Sequence, residues 1–286
     1  MAERIAQTSH ATLSAPGHVN EDLAASGPGW ALVLDGATPA PGVASGCVHD
    51  VPWLVRTLAA AVTARLTIAG PDQPTVLTTS GPDQPTPLTT SPDQPTPLTT
   101  SGPDRLAALV AGAIGEVRDA HAGTCDLANP DSPSSTLAVA RVSGVMLEYL
   151  VLCDSPILLA HRDGRLTLVA DDRLARLPGH RPYSTAQIRA WRNRPGGFWV
   201  ASTDPAASYH AVQGAVSLDA VTDVALFTDG VTRLADWYGY RWPDILARLR
   251  DAGPAALLGL LRAAERAYPN PRQKQHDDAT VVHIRW

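Results

Sequence analysis

The stretch Trp30-Ala31-Leu32-Val33-Leu34-Asp35-Gly36 runs five apolar residues straight into a carboxylate and a glycine, with Asn20-Glu21-Asp22 just upstream. A short apolar run bounded by turn residues reads as a strand buried on both faces. A charge at the end of such a strand sits at the rim of the core on rigid backbone, where a protein can fix a metal ligand. Gly36, with no Cβ, lets a ligand or a second backbone approach closely. Alone, Asp-Gly is an ordinary turn dipeptide. The chain gives it weight by repetition. Val224-Ala225-Leu226-Phe227-Thr228-Asp229-Gly230 ends the same way, and Leu150-Val151-Leu152-Cys153 closes on Asp154. Asp277 and Asp278 stand immediately before the last apolar segment, Thr280–Trp286. One acid abutting an apolar strand is ordinary; four such places point to convergence on one rim.

Two carboxylates about 4 Å apart repel by roughly 4 kcal/mol at an effective dielectric of about 20. A cluster of them is tolerable only with raised pKa values or bound cations. The candidate donors are all oxygens, which favours Mg²⁺ or Mn²⁺ over zinc. Two such ions about 3.5–4 Å apart can bind a phosphate and generate a bridging hydroxide for in-line attack. The residues alone therefore suggest a two-metal phosphoryl hydrolase.

The 286 residues allow one large domain or two small ones, and a 44% hydrophobic content fits an ordinary globular protein. A net charge of −5 gives no electrostatic reason to expect nucleic acid or an anionic membrane as partner. The first residues lack an apolar leader core, and no run of about 18 apolar residues occurs. The expectation is a cytoplasmic enzyme or binding protein. Cys47, Cys125 and Cys153 offer by spacing neither a disulfide framework nor a zinc pattern.

Along the chain, residues 10–34 predict two strands. Val51, Leu54, Val55, Leu58, Val62 and Leu66 form one helix face, with Asp50 as N-cap and Pro52 in the first turn. Leu106, Leu109, Val110, Ala113 and Val117 form another. Between them Pro-Asp-Gln-Pro-Thr-x-Leu-Thr-Thr-Ser starts at Pro71, Pro82 and Pro92, with a fourth start at Pro103-Asp104. Residues 71–103 thus read as a tandem-repeat insertion, too proline-rich and aromatic-free to build a core, within one domain spanning 1–286. Strands follow at Thr136–Val142, Met146–Cys153, Pro156–His161 and Arg165–Val169, the last two joined by a turn at Asp163-Gly164. Leu177–Gly214, with Trp191 and Trp199, reads as a surface flap. Two helices are expected after Gly230, one over Asp244–Asp251 and one opened by Gly253-Pro254. In Thr280–Trp286 the alternation places Val282, Ile284 and Trp286 inward and His283 and Arg285 outward.

The order Asn-x-Asp, strand plus Asp-Gly, Ser-Thr strand, strand plus Asp-Ser, strand plus Asp-Gly, and Asp-Asp-x-Thr resembles the metal-dependent protein phosphatase family, type 2C. The match runs from Asn20 to Trp286, leaving out the repeat. The resemblance implies an α+β sandwich of two antiparallel sheets flanked by helices, with a two-metal Mn²⁺ or Mg²⁺ site at one end. It implies that Asp35 bridges both ions and that the Gly36 carbonyl binds one. Asp229 and Asp277, with Asp278 beside it, hold the other, Glu21 or Asp22 acts through water, and Asp154 corresponds to a third, weaker position. The implied activity is hydrolysis of phosphoserine or phosphothreonine in a phosphoprotein. A phosphatase of small phosphorylated molecules and a non-catalytic binding relative are the alternatives.

Three departures from the family pattern stand out. The arginine common before Asn-x-Asp is replaced by Gly17 and His18, Ala37-Thr38-Pro39 follow Asp35-Gly36, and Cys153 stands where a glycine usually precedes Asp-Ser. Lys274, the only lysine in the chain and three residues before Asp277, is the candidate for gripping phosphate, with His18 as its competitor. His276 is a candidate proton donor or support for Asp277, whereas His121, His180 and His210 carry no ligand-like spacing.

Overall fold

A computed structural model describes residues 6–39, 42–69, 103–179, 183–269 and 274–286. The tandem repeat lies outside the described residues except for its fourth start, where Pro103 opens a helix. The strands are β1 (Gln7–Leu13), β2 (Asp22–Gly27), β3 (Trp30–Ala37), β4 (Ser134–Ser135), β5 (Leu137–Ser143) and β6 (Met146–Leu152). They continue as β7 (Ile157–His161), β8 (Leu166–Val169), β9 (Val212–Ser217), β10 (Val221–Phe227) and β11 (Ala279–Arg285). The helices are α1 (Val51–Ala69), α2 (Pro103–His121), α3 (Thr185–Trp191), α4 (Asp229–Asp236) and α5 (Trp242–Ala267). One sheet has the order β1-β11-β10-β7-β8 and the other β2-β3-β5-β6-β9, with β4 beside β3. Every pairing is antiparallel.

The apolar runs follow from double coverage. In β3, Ala31 and Val33 pack between the sheets against Ala138, Leu226 and Val282, while Leu32 and Leu34 pack outward under α1 and α2. In β10, Val224 and Leu226 face the inter-sheet core, while Ala225 and Phe227 face α4 and α5. The order is helices, sheet, sheet, helices, so strands at the centre have no wet face and lose the usual alternation. By length and composition Val51–Ile68 of α1 could cross a membrane; here Leu54, Leu58, Val62 and Leu66 are buried against the sheet and α2. Asp50 caps α1 as expected, its Oδ1 accepting the Trp53 N–H at 2.8 Å. The two helices expected after residue 244 are the halves of α5, bent where Gly253 takes φ 78° ahead of Pro254.

Several expectations are corrected. Three strands, not two, occupy residues 7–37. The flap is anchored in the core: Phe198, Trp199, Val200 and Ala201 are buried, and its end forms edge strand β9. Its arginines and glycines hid an apolar tetrapeptide too short to show periodicity. His283 points to no solvent but is buried on β11, 2.9 Å from Asp223. Covering helices remove the wet face on which its expected exposure rested.

Two glycines seat the acid-bearing strand ends. A Cβ on Gly36 would lie 2.4 Å from Val51 Cγ1 and 2.7 Å from the Glu21 carbonyl. One on Gly230 would lie 1.9 Å from the Asp278 carbonyl, a backbone atom that cannot swing away. Gly230→Ala is therefore expected to cost about 1–3 kcal/mol in urea unfolding. Gly259→Ala, at an exposed position on α5 with nothing within 4 Å, should gain about 0.5–1 kcal/mol. Equal midpoints for the two variants would contradict this packing.

Candidate active site

The acids meet at one end of the sandwich. Asp35 ends the buried part of β3, and its register partner across the β2–β3 ladder is Asp22. The Asn20 side chain sets that partner in place: its Oδ1 accepts the Asp22 N–H at 3.0 Å and its amide reaches Thr12 at 2.7 Å. The Gly36 N–H donates to the Glu21 carbonyl at 3.2 Å, the close approach its missing Cβ permits. The Ser-Thr motif clamps the other side: the Asp35 carbonyl accepts the Thr136 N–H at 2.9 Å and the Ser135 hydroxyl at 3.0 Å.

From the second sheet come Asp229, the first residue of α4, and the segment entering β11. The Asp229 N–H points at Asp35 Oδ2, 3.4 Å away. Thr228 donates its hydroxyl to Asp22 Oδ2 at 2.8 Å and accepts the Thr280 N–H at 2.8 Å, tying β10, β11 and β2 together. Asp35, Asp154 and Asp229 line a cleft of about 440 Å³, whose far wall is the flap with Arg192 and Phe198. Asp154 and Asp229 also line an adjoining hollow of about 290 Å³. Before Asp154, Cys153 holds φ 69°, the left-handed conformation that explains a glycine preference there.

Electrostatics divides these acids. Burial, then neighbouring Asp229, Asp22, Asp154 and Asp277, pushes Asp35 well above the ordinary carboxylate range. Burial raises Asp22 to about 8 against the pull of Thr228 and Thr280, and its Oδ1 is buried with no hydrogen-bond partner. Burial with Asp154 and Asp277 nearby raises Asp229 to about 7. Glu21 is raised by burial, although it accepts a bond from the Thr38 hydroxyl. These groups fit divalent cations: they are hard oxygen donors, crowded, partly unpartnered and reluctant to ionise alone.

Asp278 is engaged differently. Its Oδ1 accepts the Ala15 N–H at 2.7 Å and its Oδ2 the Glu21 N–H at 2.6 Å, so it tethers the segment before β2. Asp277 meets cations of this chain, with Arg233 Nη2 on one oxygen and Lys274 Nζ on the other. Lys274 thus reaches the acids, its side chain 61% exposed. His18 does not line the cleft: it is exposed in a turn closed by its N–H on the Ala15 carbonyl. His276 bonds Glu265 at 2.6 Å, which is held by Arg262; Arg262 in turn donates to the Asp277 carbonyl at 2.6 Å. His276 therefore supports the Asp277 backbone through Glu265 and Arg262.

Sequence reading missed two arginines. Arg233 is one helical turn from Asp229 and becomes visible only once α4 is known to begin there. Arg192 donates to the Pro130 and Ser132 carbonyls at 2.9 Å each, pinning the flap, and burial lowers it to about 10. No spacing links it to the acids.

Among curated proteins none matches the sequence. Solved structures match at low identity, which bears on the fold alone. The serine/threonine phosphatase PstP/Ppp of Mycobacterium tuberculosis is 16% identical, with 98% of each chain covered and a TM-score of 0.56. The PstP catalytic domain in complex with two manganese ions is also 16% identical, covering 98% of this chain and 97% of that one, with a TM-score of 0.54. Serine-threonine phosphatase 2C of Toxoplasma gondii is 15% identical over 97% of this chain and 94% of that one, with a TM-score of 0.58. The model of the family described as protein phosphatase 2C matches residues 14–262, from the turn before Asn20 through most of α5. The chain belongs to the protein phosphatase 2C family, whose members are phosphoric monoester hydrolases.

Proposed function

We propose that this chain hydrolyses phosphoserine and phosphothreonine in protein substrates with two Mn²⁺ or Mg²⁺ ions. The observation that carries the reading is the rim of Asp22, Asp35 and Asp229, all held above the carboxylate range, with Asp22 Oδ1 buried and unpartnered. In this assignment Asp35 would serve both cations, the Gly36 carbonyl with Glu21 or Asp22 would hold one, Asp229 and Asp277 would hold the other, and Asp154 would offer a third position. Asp278 is left out as a direct ligand because backbone amides occupy both its oxygens. Cations bound there supply an activated water and neutralise phosphate charge.

The protein's own groups do the rest. Thr228, Thr280, Ser135 and Thr136 fix the acids without neutralising them, so the carboxylate oxygens stay aimed at the rim. The flap closes the cleft on its far side, with Arg192 providing positive charge that no carboxylate among the described residues bonds. Lys274, with an exposed side chain, donates to Asp277. These two cations replace the arginine absent before Asn20.

Turnover of an aryl phosphate and a phosphopeptide panel, after chelation and after adding back Mn²⁺ or Mg²⁺, tests the reading. Turnover should vanish on chelation and return with metal, and Asp229→Asn should remove most of it. Metal-independent turnover, or none on any phosphoester, would overturn the assignment. Lys274→Ala should lower kcat/KM about tenfold through KM, since a bond to a charged group is worth about 1.5–3 kcal/mol and exposure discounts it. An unchanged KM would leave Arg192 as the sole grip.

The raised acids also set a pH dependence. An unfolded aspartate titrates near 3.9, so from there up to about 8, where Asp22 titrates, the folded metal-free chain binds more protons than the unfolded one. Its stability then falls as pH rises through that window. The metal-free Tm should drop from about pH 5 to about pH 8, and Asp22→Asn should raise it at the upper end. Mn²⁺ should restore most at high pH, near 2.7 kcal/mol at about 100 times its Kd. A Tm indifferent to Mn²⁺ at pH 8 would refute this account.

A further inference from the structure

Apart from the acidic rim, four further ligand-type side chains converge where the helix pair α1–α2 is tied together. Cys47 and His49 lie in the loop entering α1, His121 ends α2, and Cys125 follows four residues later. Their Sγ and ring nitrogen atoms all lie within 4.8 Å of one another. The two sulfurs are 3.1 Å apart, and His49 Nδ1 is 3.6 Å from Cys47 Sγ and 3.4 Å from Cys125 Sγ. A tetrahedron with zinc–sulfur bonds of about 2.3 Å and zinc–nitrogen bonds of about 2.0–2.1 Å has edges of roughly 3.3–3.8 Å. The two His49–sulfur separations fall on those edges, the sulfurs sit somewhat closer than an edge, and His121 lies within 4.8 Å of the other three. A disulfide needs about 2.05 Å between sulfurs, well short of the spacing here.

The imidazoles are prepared as ligands. His121 is buried at 2% exposure, and its Nδ1 sits 2.9 Å from the Val117 carbonyl. That contact assigns the proton to Nδ1 and leaves the lone pair on Nε2, which is buried without any partner. Bonding of the second ring nitrogen to a backbone carbonyl is how ligating histidines are oriented. Trp53 fixes both rings, stacked on His49 at 3.8 Å and edge-on to His121 at 4.6 Å. Cys47 Sγ also accepts the His49 N–H at 3.3 Å, which fixes its side chain toward the cluster.

We propose that Cys47, His49, His121 and Cys125 form a closed tetrahedral site for a transition metal, Zn²⁺ by donor type, with a structural role separate from the catalytic rim. Two thiolates and two imidazoles suit Zn²⁺ and not the Mn²⁺ or Mg²⁺ of the rim, and four protein ligands leave no position for substrate. The ion cross-links positions 78 residues apart. The loops it joins lead into the cleft: Asn129 bonds the Ala44 carbonyl, Asp126 bonds that of Gly46, and Arg192 of the flap hangs on Pro130 and Ser132. The clamp thereby holds the wall against which the flap is set.

The test is metal content by mass spectrometry on the full chain, purified without chelator and dialysed against metal-free buffer. About one zinc per chain is expected in the wild type and equally in Asp229→Asn, which damages only the catalytic rim. Cys47→Ser/Cys125→Ser should lose it. Co²⁺ exchanged into the wild type should give thiolate-to-cobalt charge transfer and the intense visible bands of a tetrahedral ion. Those wild-type measurements decide the matter even where the double variant fails to fold. Wild-type protein that binds neither zinc nor cobalt in this way overturns the proposal. It does so whether its thiols are free or the intact mass, lower by two hydrogens, shows Cys47 and Cys125 joined; the phosphatase reading stands or falls on its own assay.

Discussion

Mutual repulsion among buried carboxylates is the constraint on which the site end of this molecule depends. Asp22 and Asp35 face each other across one ladder, and Asp229 arrives from the other sheet with its N–H on Asp35. No packing of strands alone would bring three acids together there. Each is raised first by burial and then by neighbouring acids: Asp35 by Asp229 and Asp22, Asp22 by Asp278 and Asp229, and Asp229 by Asp154 and Asp277. The sandwich tolerates the arrangement because the surrounding contacts are made in quantity elsewhere: the central strands of both sheets are covered on both faces, and the strands that end in acids are among the most buried of those described. Stability is concentrated in the layers and given up at the rim, as expected where function demands an unfavourable arrangement.

The parts of this design that are legible in the sequence are those in which one local segment carries both structure and chemistry. Apolar run, acid and glycine are contiguous at Asp35-Gly36 and at Asp229-Gly230, so strand, rim and close approach could be read together. The order of these segments then pointed to the family and its two sheets. What stayed hidden depends on distant partners. Cys47-x-His49 and His121-x-x-x-Cys125 are unremarkable spacings until two antiparallel helices bring the start of one to the end of the other. Arg192 joins the cleft only because the flap folds back on Pro130 and Ser132. Asp278 looked like its neighbour Asp277, and only the amides of Ala15 and Glu21 distinguish a tether from a candidate ligand. His283 looked outward because a period of two marks exposure only where one face is wet.

The contrast between acids shows how the chain sorts its charges. Asp223 is as buried as Asp22, yet its pKa is driven far down despite burial, because His283, Arg250 and Thr222 supply bonds to its ionised form. Glu265 takes two bonds from Arg262 and one from His276, and Asp171 takes two from Arg173. Such pairs are self-contained; removing one partner strands a charge at a cost of several kcal/mol, about 3–5. Among the described residues, Asp22 takes the Thr228 hydroxyl and Asp35 the Asp229 amide, while Asp229 is eased by nearby Arg233 and by a bond with Asp35. Because the same fold pairs its other buried acids so completely, the incomplete set at the rim is a selective feature and not a general failure of compensation. Without a bound cation these acids hold protons well above the ordinary carboxylate range. Asp277 lies between the two groups, with Arg233 on one carboxylate oxygen and Lys274 on the other. Its two oxygens are already held by the protein's own cations, and Arg262 anchors its backbone carbonyl ahead of β11.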